Sequence, residues 1–442
     1  MKTKTIHKDK VNIITLGCSK NMVDSEVLSG QLIANEIDVV HESAKKDHNI
    51  VIINTCGFIE KAKEESVNTI LQQVDLKRRG KIDKVYVTGC LSERYKNNLE
   101  AEIPEVDAYF GTMELPMILK QFEADYKADL IGERLLSTPQ HYAYMKISEG
   151  CNRTCSFCAI PLMRGKHVSR PIESLVDEAK RLVDRGVKEV MLIAQELTYY
   201  GLDIYKKREL PKLLHALADV KGLEWIRLHY AYPSKFPLEI IDAIKDRENI
   251  CNYLDMPLQH AANNMLQQMK RQITREEMED LVGNIRERIP GICLRTTLIA
   301  GFPGETEDDI EELKEFLQEH RFDRVGIFSY SHEENTSAHD LVDDVPADIK
   351  AERAQSIMEV QQEISLEKNQ EKVGQILKVI IDKKEAGRYL GRTEFDSVEV
   401  DNEVVINTKK KLTIGDFVWV KITKAYDYDI EGELVDSEGR SK

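Results

Sequence analysis

At 442 residues, with 42% hydrophobic and 31% charged side chains, the chain is long enough for about two to four domains with their own cores and has the composition of an ordinary soluble protein. A net charge of −15 disfavours a surface built to grip nucleic-acid phosphate and suits a basic protein partner better. The opening residues are basic without an apolar stretch, and no run of about 18 apolar residues occurs, so a cytoplasmic protein with no membrane segment is expected, its eight cysteines serving metal or catalytic chemistry rather than disulfides.

The first segment, 10–128, repeats a β-rich run that ends in a cysteine and is followed by a helical stretch. The runs are Val11–Cys18, Ile50–Cys56 and Val85–Cys90, and Ile59–Lys77 has an amphipathic helical pattern. Near-continuous β-branched residues suit strands buried on both faces of a parallel sheet. Ligands of such sheets sit at the carboxyl ends of the strands, so Cys18, Cys56 and Cys90 converge on one mouth. Any one of them reads as a small buried hydrophobe; three in matched positions read as a ligand set.

The second segment, 137–366, alternates strand and helix patterns six times. The apolar runs are Tyr144–Ile147, Glu189–Ala194, Trp225–Tyr230, Tyr253–Pro257, Leu294–Ala300 and Arg324–Ser329, with helices such as Ile172–Arg185, Leu238–Lys245, Arg275–Arg288 and Asp308–His320 between them. Six units fall short of the eight of a full barrel, which predicts an open (β/α)6 partial TIM barrel. A polar helix, Gln361–Lys372, connects it to the third segment, 369–438. There, Ile376–Ile381, Ser397–Val400 and Phe417–Ile422 alternate as short strands between Gly and Asp turns, the pattern of a small OB-like β-barrel. The whole is an α/β multidomain protein.

Directly after the first barrel strand comes Cys151-Asn152-Arg153-Thr154-Cys155-Ser156-Phe157-Cys158, a CxxxCxxC run. Three thiolates on one short loop can cap three corners of a 4Fe–4S cluster, which normally takes four. The next cysteine, Cys251, is far along the chain, so the fourth iron stays open to a small molecule. The competing zinc site needs a fourth ligand at similar spacing; His167 lies nine residues on, beyond Pro161.

A three-cysteine α/β domain, a CxxxCxxC barrel and a terminal β-barrel, in that order, resemble the radical S-adenosylmethionine (radical-SAM) methylthiotransferase family, whose last module is called TRAM. The runs Leu16-Gly17-Cys18-Ser19-Lys20-Asn21 and Ile193-Ala194-Gln195-Glu196-Leu197-Thr198-Tyr199-Tyr200-Gly201-Leu202-Asp203 resemble its RimO branch. RimO enzymes methylthiolate an aspartate of protein twelve of the small ribosomal subunit; other branches modify an adenosine in transfer RNA. The resemblance implies two 4Fe–4S clusters and SAM as cofactors. Cys151, Cys155 and Cys158 would hold the cluster that cleaves SAM to a hydrogen-abstracting 5′-deoxyadenosyl radical. Cys18, Cys56 and Cys90 would hold an auxiliary cluster carrying the sulfur that a second SAM methylates. It also implies an electron donor such as flavodoxin or ferredoxin, and leaves the sulfur donor open.

By the same resemblance, Phe157 packs near the adenine of SAM or plugs the barrel mouth, and Gln195 and Glu196 bind its methionyl amine, although the glycines usual before that glutamate are replaced. The turn Gly301–Glu305 reads equally as SAM-facing or as a plain βα turn, and Tyr199 and Tyr200 as channel-lining or structural. His260 reads as a hydrogen-bonding support, and Cys251 and Cys293 as core. The third segment carries 13 Lys and Arg against 15 Asp and Glu from Glu371 onward, a poor RNA-binding balance. That favours the ribosomal protein over transfer RNA as substrate. A non-catalytic iron–sulfur carrier is the remaining alternative, but it needs neither open iron sites nor a barrel.

Overall fold

The computed structural model describes residues 9–43, 47–127 and 134–436. The expected boundaries at 128 and 438, and most of the basic start, lie outside them. The first body is a five-stranded parallel sheet. Its chain order is β1 (Lys10–Thr15), α1 (Ser19–Ala34), β2 (Asp38–His41), β3 (Ile50–Thr55), α2 (Glu60–Arg78), β4 (Lys84–Gly89), α3 (Cys90–Glu102), β5 (Ala108–Tyr109) and α4 (Leu115–Lys120). Every residue of β3 is buried, as its unbroken apolar run requires. The strand order is β2-β1-β3-β4-β5, so the direction of winding reverses between β1 and β3, where an open α/β sheet forms its ligand crevice. Cys18 and Cys56 follow those two strands. The short strands β2 and β5 were not foreseen from the sequence.

The second body has six parallel strands in chain order: β6 (Tyr142–Lys146), β9 (Glu189–Ile193), β10 (Trp225–Leu228), β11 (Ile250–Asp255), β12 (Cys293–Ala300) and β13 (Arg324–Ser329). The small antiparallel pair β7 (Ser148–Glu149) and β8 (Val168–Ser169) brackets the cysteine loop and the short helix α5 (Ile160–Arg164). Leucine, isoleucine and alanine side chains on the outer face of the strands pack under the surrounding helices, two of which start in capping boxes, Thr274/Glu277 and Thr306/Asp309. The expected connector begins earlier than the sequence suggests: the helix Ala347–Gln370 is 24 residues long. Its Ile357 and Ile364 join the barrel core, which makes it the sixth outer helix as well as the link.

The third body is a closed barrel of β14 (Ile376–Glu385), β15 (Arg388–Thr393), β16 (Val404–Ile406), β17 (Phe417–Ala425) and β18 (Ile430–Val435). The expected strand Ser397–Val400 is not one. It belongs to a connection, Thr393–Asp401, that enters the large barrel from the amino-terminal end; of its two alternating valines Val398 is buried and Val400 is 55% exposed. Ser397 and Val398 are buried and Glu399 takes a left-handed conformation at φ 68°. Val398 packs with Tyr142, Tyr144, Met191 and Ile193, while Asp396 pairs with Arg324 at 2.5 Å and Asp401 with Arg295 at 3.2 Å. Arg227 donates to the carbonyls of Thr393 and Glu394 and to Glu189, which also holds Arg392 of β15 at 2.7 Å. The interior that a full barrel fills with its own side chains is thus floored by the third body. Cys251 and Cys293 lie in this apolar floor with Trp225, Tyr253 and Ile380, as core residues. Among the described residues no helix is long and apolar enough to cross a membrane.

Candidate cluster and cofactor site

The CxxxCxxC loop sits at the carboxyl end of the barrel. Gly150 starts it with φ 75°, and a Cβ there would lie 2.1 Å from the Lys166 carbonyl oxygen, so only glycine fits. The Cys151 N–H donates to the Gly165 carbonyl at 3.1 Å and the Ser156 N–H to the Met269 carbonyl at 3.0 Å. Ala338 N–H donates to the Ser156 carbonyl at 2.8 Å. The sulfurs themselves receive donors: Arg271 Nη1 reaches Cys155 Sγ at 3.2 Å, and the Arg153 backbone N–H reaches Cys151 Sγ at 3.4 Å.

The second triad lies across a narrow interface. A Cβ on Gly17 would fall 2.9 Å from Cys56 Sγ, which shows how closely the β1 turn passes that thiol. The Cys56 N–H donates to Ser66 Oγ, 3.0 Å away, and the Ser66 hydroxyl returns a bond to the Cys56 carbonyl. Asn21 joins the two strand ends, its amide donating to the Leu16 and Thr55 carbonyls at 2.7 and 3.1 Å. From the barrel side, Arg164 Nε donates to Cys90 Sγ at 3.3 Å, and the same guanidinium reaches Asn21 Oδ1 and pairs with Asp24 at 2.6 Å. A second bridge, Arg94 and Lys63 to the buried Glu333 at 2.6 and 3.1 Å, fastens the other side of the interface. The two cysteine mouths therefore face each other.

All six thiols are free of disulfides. Burial pushes Cys151 up to about 11 and Cys158 and Cys90 up to about 12, and raises Cys56, so without a metal these groups stay protonated. Metal ligation removes the proton outright. A zinc ion needs a fourth ligand beside each triad, whereas in a cluster each cysteine caps its own iron. His167, the candidate fourth zinc ligand, instead places Nε2 3.1 Å from Ser169 Oγ.

Around the first triad the structure sorts the other candidates. Glu196 is buried, accepts from the Thr198 N–H and hydroxyl at 2.6 Å each, and pairs with Arg153 at 3.4 Å. Burial raises its carboxyl above the usual range despite those donors. Gln195 donates to Glu149 and leaves its Oε1 buried without a partner, as are Arg153 Nε and Arg271 Nε. Such unspent polar atoms fit a polar ligand such as the methionyl end of SAM. Phe157 packs into an apolar cluster with Met265, Phe302 and Tyr330. Tyr199 stacks on Arg153, 3.9 Å from its ring centroid, with Tyr232 at 3.8 Å on the same guanidinium. Tyr200 is fully buried, its hydroxyl donating to the Arg170 carbonyl. Glu305 accepts from the Gly301 N–H and from Arg353, which makes 301–305 a braced turn. His260 Nδ1 accepts from the Ala261 and Ala262 N–H groups, a support. Sequence reasoning missed Arg153, Arg164, Arg271 and Tyr232; only the closeness of the first two to CxxxCxxC hinted at them.

The profile of the Radical SAM superfamily matches residues 145–317, that of the uncharacterized protein family UPF0004 residues 10–111, and that of the TRAM domain residues 373–435. The chain is 59% identical to the ribosomal protein uS12 methylthiotransferase RimO of Flavobacterium johnsoniae, over 98% of this chain and all of that one. It is 58% identical to the RimO of Cytophaga hutchinsonii and 51% to that of Bacteroides fragilis, each over 98% of this chain and the whole relative. Among solved structures, the radical SAM methyltransferase TsrM from Kitasatospora setae, with cobalamin and a 4Fe–4S cluster bound, superposes with a TM-score of 0.54 at 15% identity, covering 73% of this chain and 72% of that one. The cobalamin-dependent radical SAM enzyme OxsB gives 0.52 at 12% identity, over 80% of this chain and 56% of that one. Those two likenesses concern the fold alone.

Proposed function

The chain belongs to the RimO family of ribosomal protein uS12 methylthiotransferases, and we propose that it attaches a methylthio group to the β-carbon of an aspartate in ribosomal protein uS12. The working division is 10–128 for the auxiliary-cluster domain, 137–366 for the radical-SAM barrel and 369–438 for the TRAM barrel. The observation that carries the reading is the bond from Arg164, at the end of the CxxxCxxC segment, to Cys90 of the other triad. It supports two ligand sets that serve one chamber rather than two independent centres.

The carbon to be functionalised has no proton acidic enough for a general base, so its C–H bond must be broken homolytically. When bound, a 4Fe–4S cluster on Cys151, Cys155 and Cys158 supplies the electron for reductive SAM cleavage, and one on Cys18, Cys56 and Cys90 supplies the sulfur. The remaining work falls to the chain. Gly150 and the bracketing pair β7–β8 fix the first loop. Arg271 and the Arg153 N–H donate to its sulfurs, while Gln195 Oε1 and Arg153 Nε remain to orient SAM. Phe157 and its apolar neighbours keep water from that side. Asn21 and Arg164 hold the second triad against the first. The electron donor would be a small carrier of the flavodoxin or ferredoxin class. The acidic TRAM barrel suits a basic protein target better than the anticodon stem of a transfer RNA.

Mass spectrometry of uS12 from cells with the gene, without it, and complemented tests the proposal. One methylthio group on an aspartate, lost on deletion and restored by complementation, is expected. Unchanged uS12 together with a hypomodified adenosine in transfer RNA would overturn the choice of substrate.

A further inference from the structure

The buried cations around the facing mouths are given to carboxylates or, for Arg271, to Cys155 Sγ and the Pro257 carbonyl; Lys20 has neither kind of partner. Arg153 is paired with Glu196, and Lys146 and Arg164 share Asp24 and Glu149. Lys20, in the first turn of α1 and two residues past Cys18, is 8% exposed. Among the described residues no carboxylate pairs with it. Asp24, one turn further along the helix, is engaged by the two barrel cations instead. The Lys20 ammonium rests 3.1 Å from the centroid of the Tyr230 ring. A ring face offsets only part of what burying a charge costs.

Tyr230 is itself held rigidly at this spot. It takes φ 67°, its N–H donates to Asp255 Oδ2 at 3.3 Å, and its carbonyl accepts the Leu197 N–H at 3.2 Å. Leu197 directly follows Glu196, so the lysine lies beside the wall where Arg153 and Glu196 meet. The barrel side has its own unspent groups for SAM, namely Gln195 Oε1, Arg153 Nε and Arg271 Nε. Lys20 comes from the opposite wall, the one that carries Cys18. An ammonium with no carboxylate partner, on the wall that carries Cys18 and against Tyr230 of the barrel, is placed to meet an anionic group brought by the substrate.

We propose that Lys20 binds the side-chain carboxylate of the target aspartate and so presents the adjacent β-carbon between the two triads. This rests on the uS12 reading above. It makes Lys20 a specificity residue, separating an aspartate from its neutral isostere, asparagine.

The test uses cluster-loaded enzyme and uS12 carrying either Asp or Asn at the modified position, with affinity read by interferometry. Wild-type enzyme should prefer the Asp form by on the order of tenfold or more, the size of a charge-assisted contact. Lys20→Met should bind both forms alike, and Lys20→Arg should keep the preference. A Lys20→Met enzyme that retains the wild-type preference overturns the assignment. So does one that keeps the preference but binds SAM more weakly, which would place a SAM carboxylate on Lys20. Should Lys20→Met fail to load its clusters, the wild-type comparison decides: equal binding of the two forms overturns the assignment, and a preference that Lys20→Arg retains supports it. Wild-type enzyme that binds neither form would sink the uS12 reading itself, and this assignment with it.

Discussion

Arg164 is the barrel residue that reaches across to the second cysteine triad. Its guanidinium is spread over Cys90 Sγ, Asn21 Oδ1 and Asp24; burial alone would lower its pKa, but Asp24 and its other anionic neighbours outweigh that and raise it. Donors to a cluster sulfur raise its reduction potential. Arg164→Gln should therefore lower the potential of the auxiliary cluster while the radical-SAM cluster keeps its own, as followed by redox titration with electron paramagnetic resonance. Loss of the buried pair should also cost about 3 kcal/mol in denaturant unfolding; equal shifts of both potentials would contradict the role. The six cysteines were legible because their signal is local, a spacing of three and two residues or a strand end repeated three times. Arg164 was not, because it meets Cys90 across 74 residues of sequence, and Arg271 meets Cys155 across 116. No window of sequence holds such a pair.

At the scale of elements, the connection Thr393–Asp401 departs most from what the sequence suggests. Val398 and Val400 alternate as in a strand, yet only Val398 is buried; the deciding partners, Arg227, Arg295 and Arg324, sit on strands of the large barrel far earlier in the chain. Asp396→Asn with Asp401→Asn takes from the buried Arg324 its acid and from Arg295 one of two, Asp255 remaining. That double change should destabilise the barrel by about 3 kcal/mol or more in chemical denaturation, whereas a TRAM barrel that merely tethers substrate would lose binding and keep its stability. Glu189 ties the same joint. Burial alone would raise its pKa, but Arg392 and Arg227 outweigh that and hold it at about 2, below the ordinary 4.5. The stabilisation is complete above pH about 4.5 and is lost as pH falls toward 2, worth about 3 kcal/mol in all. Trp225, 4.8 Å from Phe417 of the TRAM barrel, reports the joint by fluorescence. Acid undocking should follow that window in the wild type and lose this pH dependence in Glu189→Gln, which should also be less stable at neutral pH; an unchanged acid limb would contradict the assignment.

For the whole molecule, three bodies build one chamber. The N-terminal sheet supplies one triad at its winding reversal, the barrel supplies the other at its carboxyl end, and the TRAM barrel floors the space beneath. The order of the three, and the parallel sheets of the first two, were readable because buried parallel strands and βα alternation leave long apolar signatures. Their mutual docking was not, since it rests on scattered ion pairs such as Glu333 with Arg94 and Lys63. The central claim is that the two triads perform different steps on one substrate. It is tested most directly by loading Cys18→Ala/Cys56→Ala/Cys90→Ala enzyme with iron and sulfide, supplying SAM, reductant and uS12, and measuring 5′-deoxyadenosine and methylthiolated uS12 in the same reaction. The account predicts about half the wild-type iron, continued formation of 5′-deoxyadenosine and no methylthiolated uS12; methylthiolated product from that variant would contradict it.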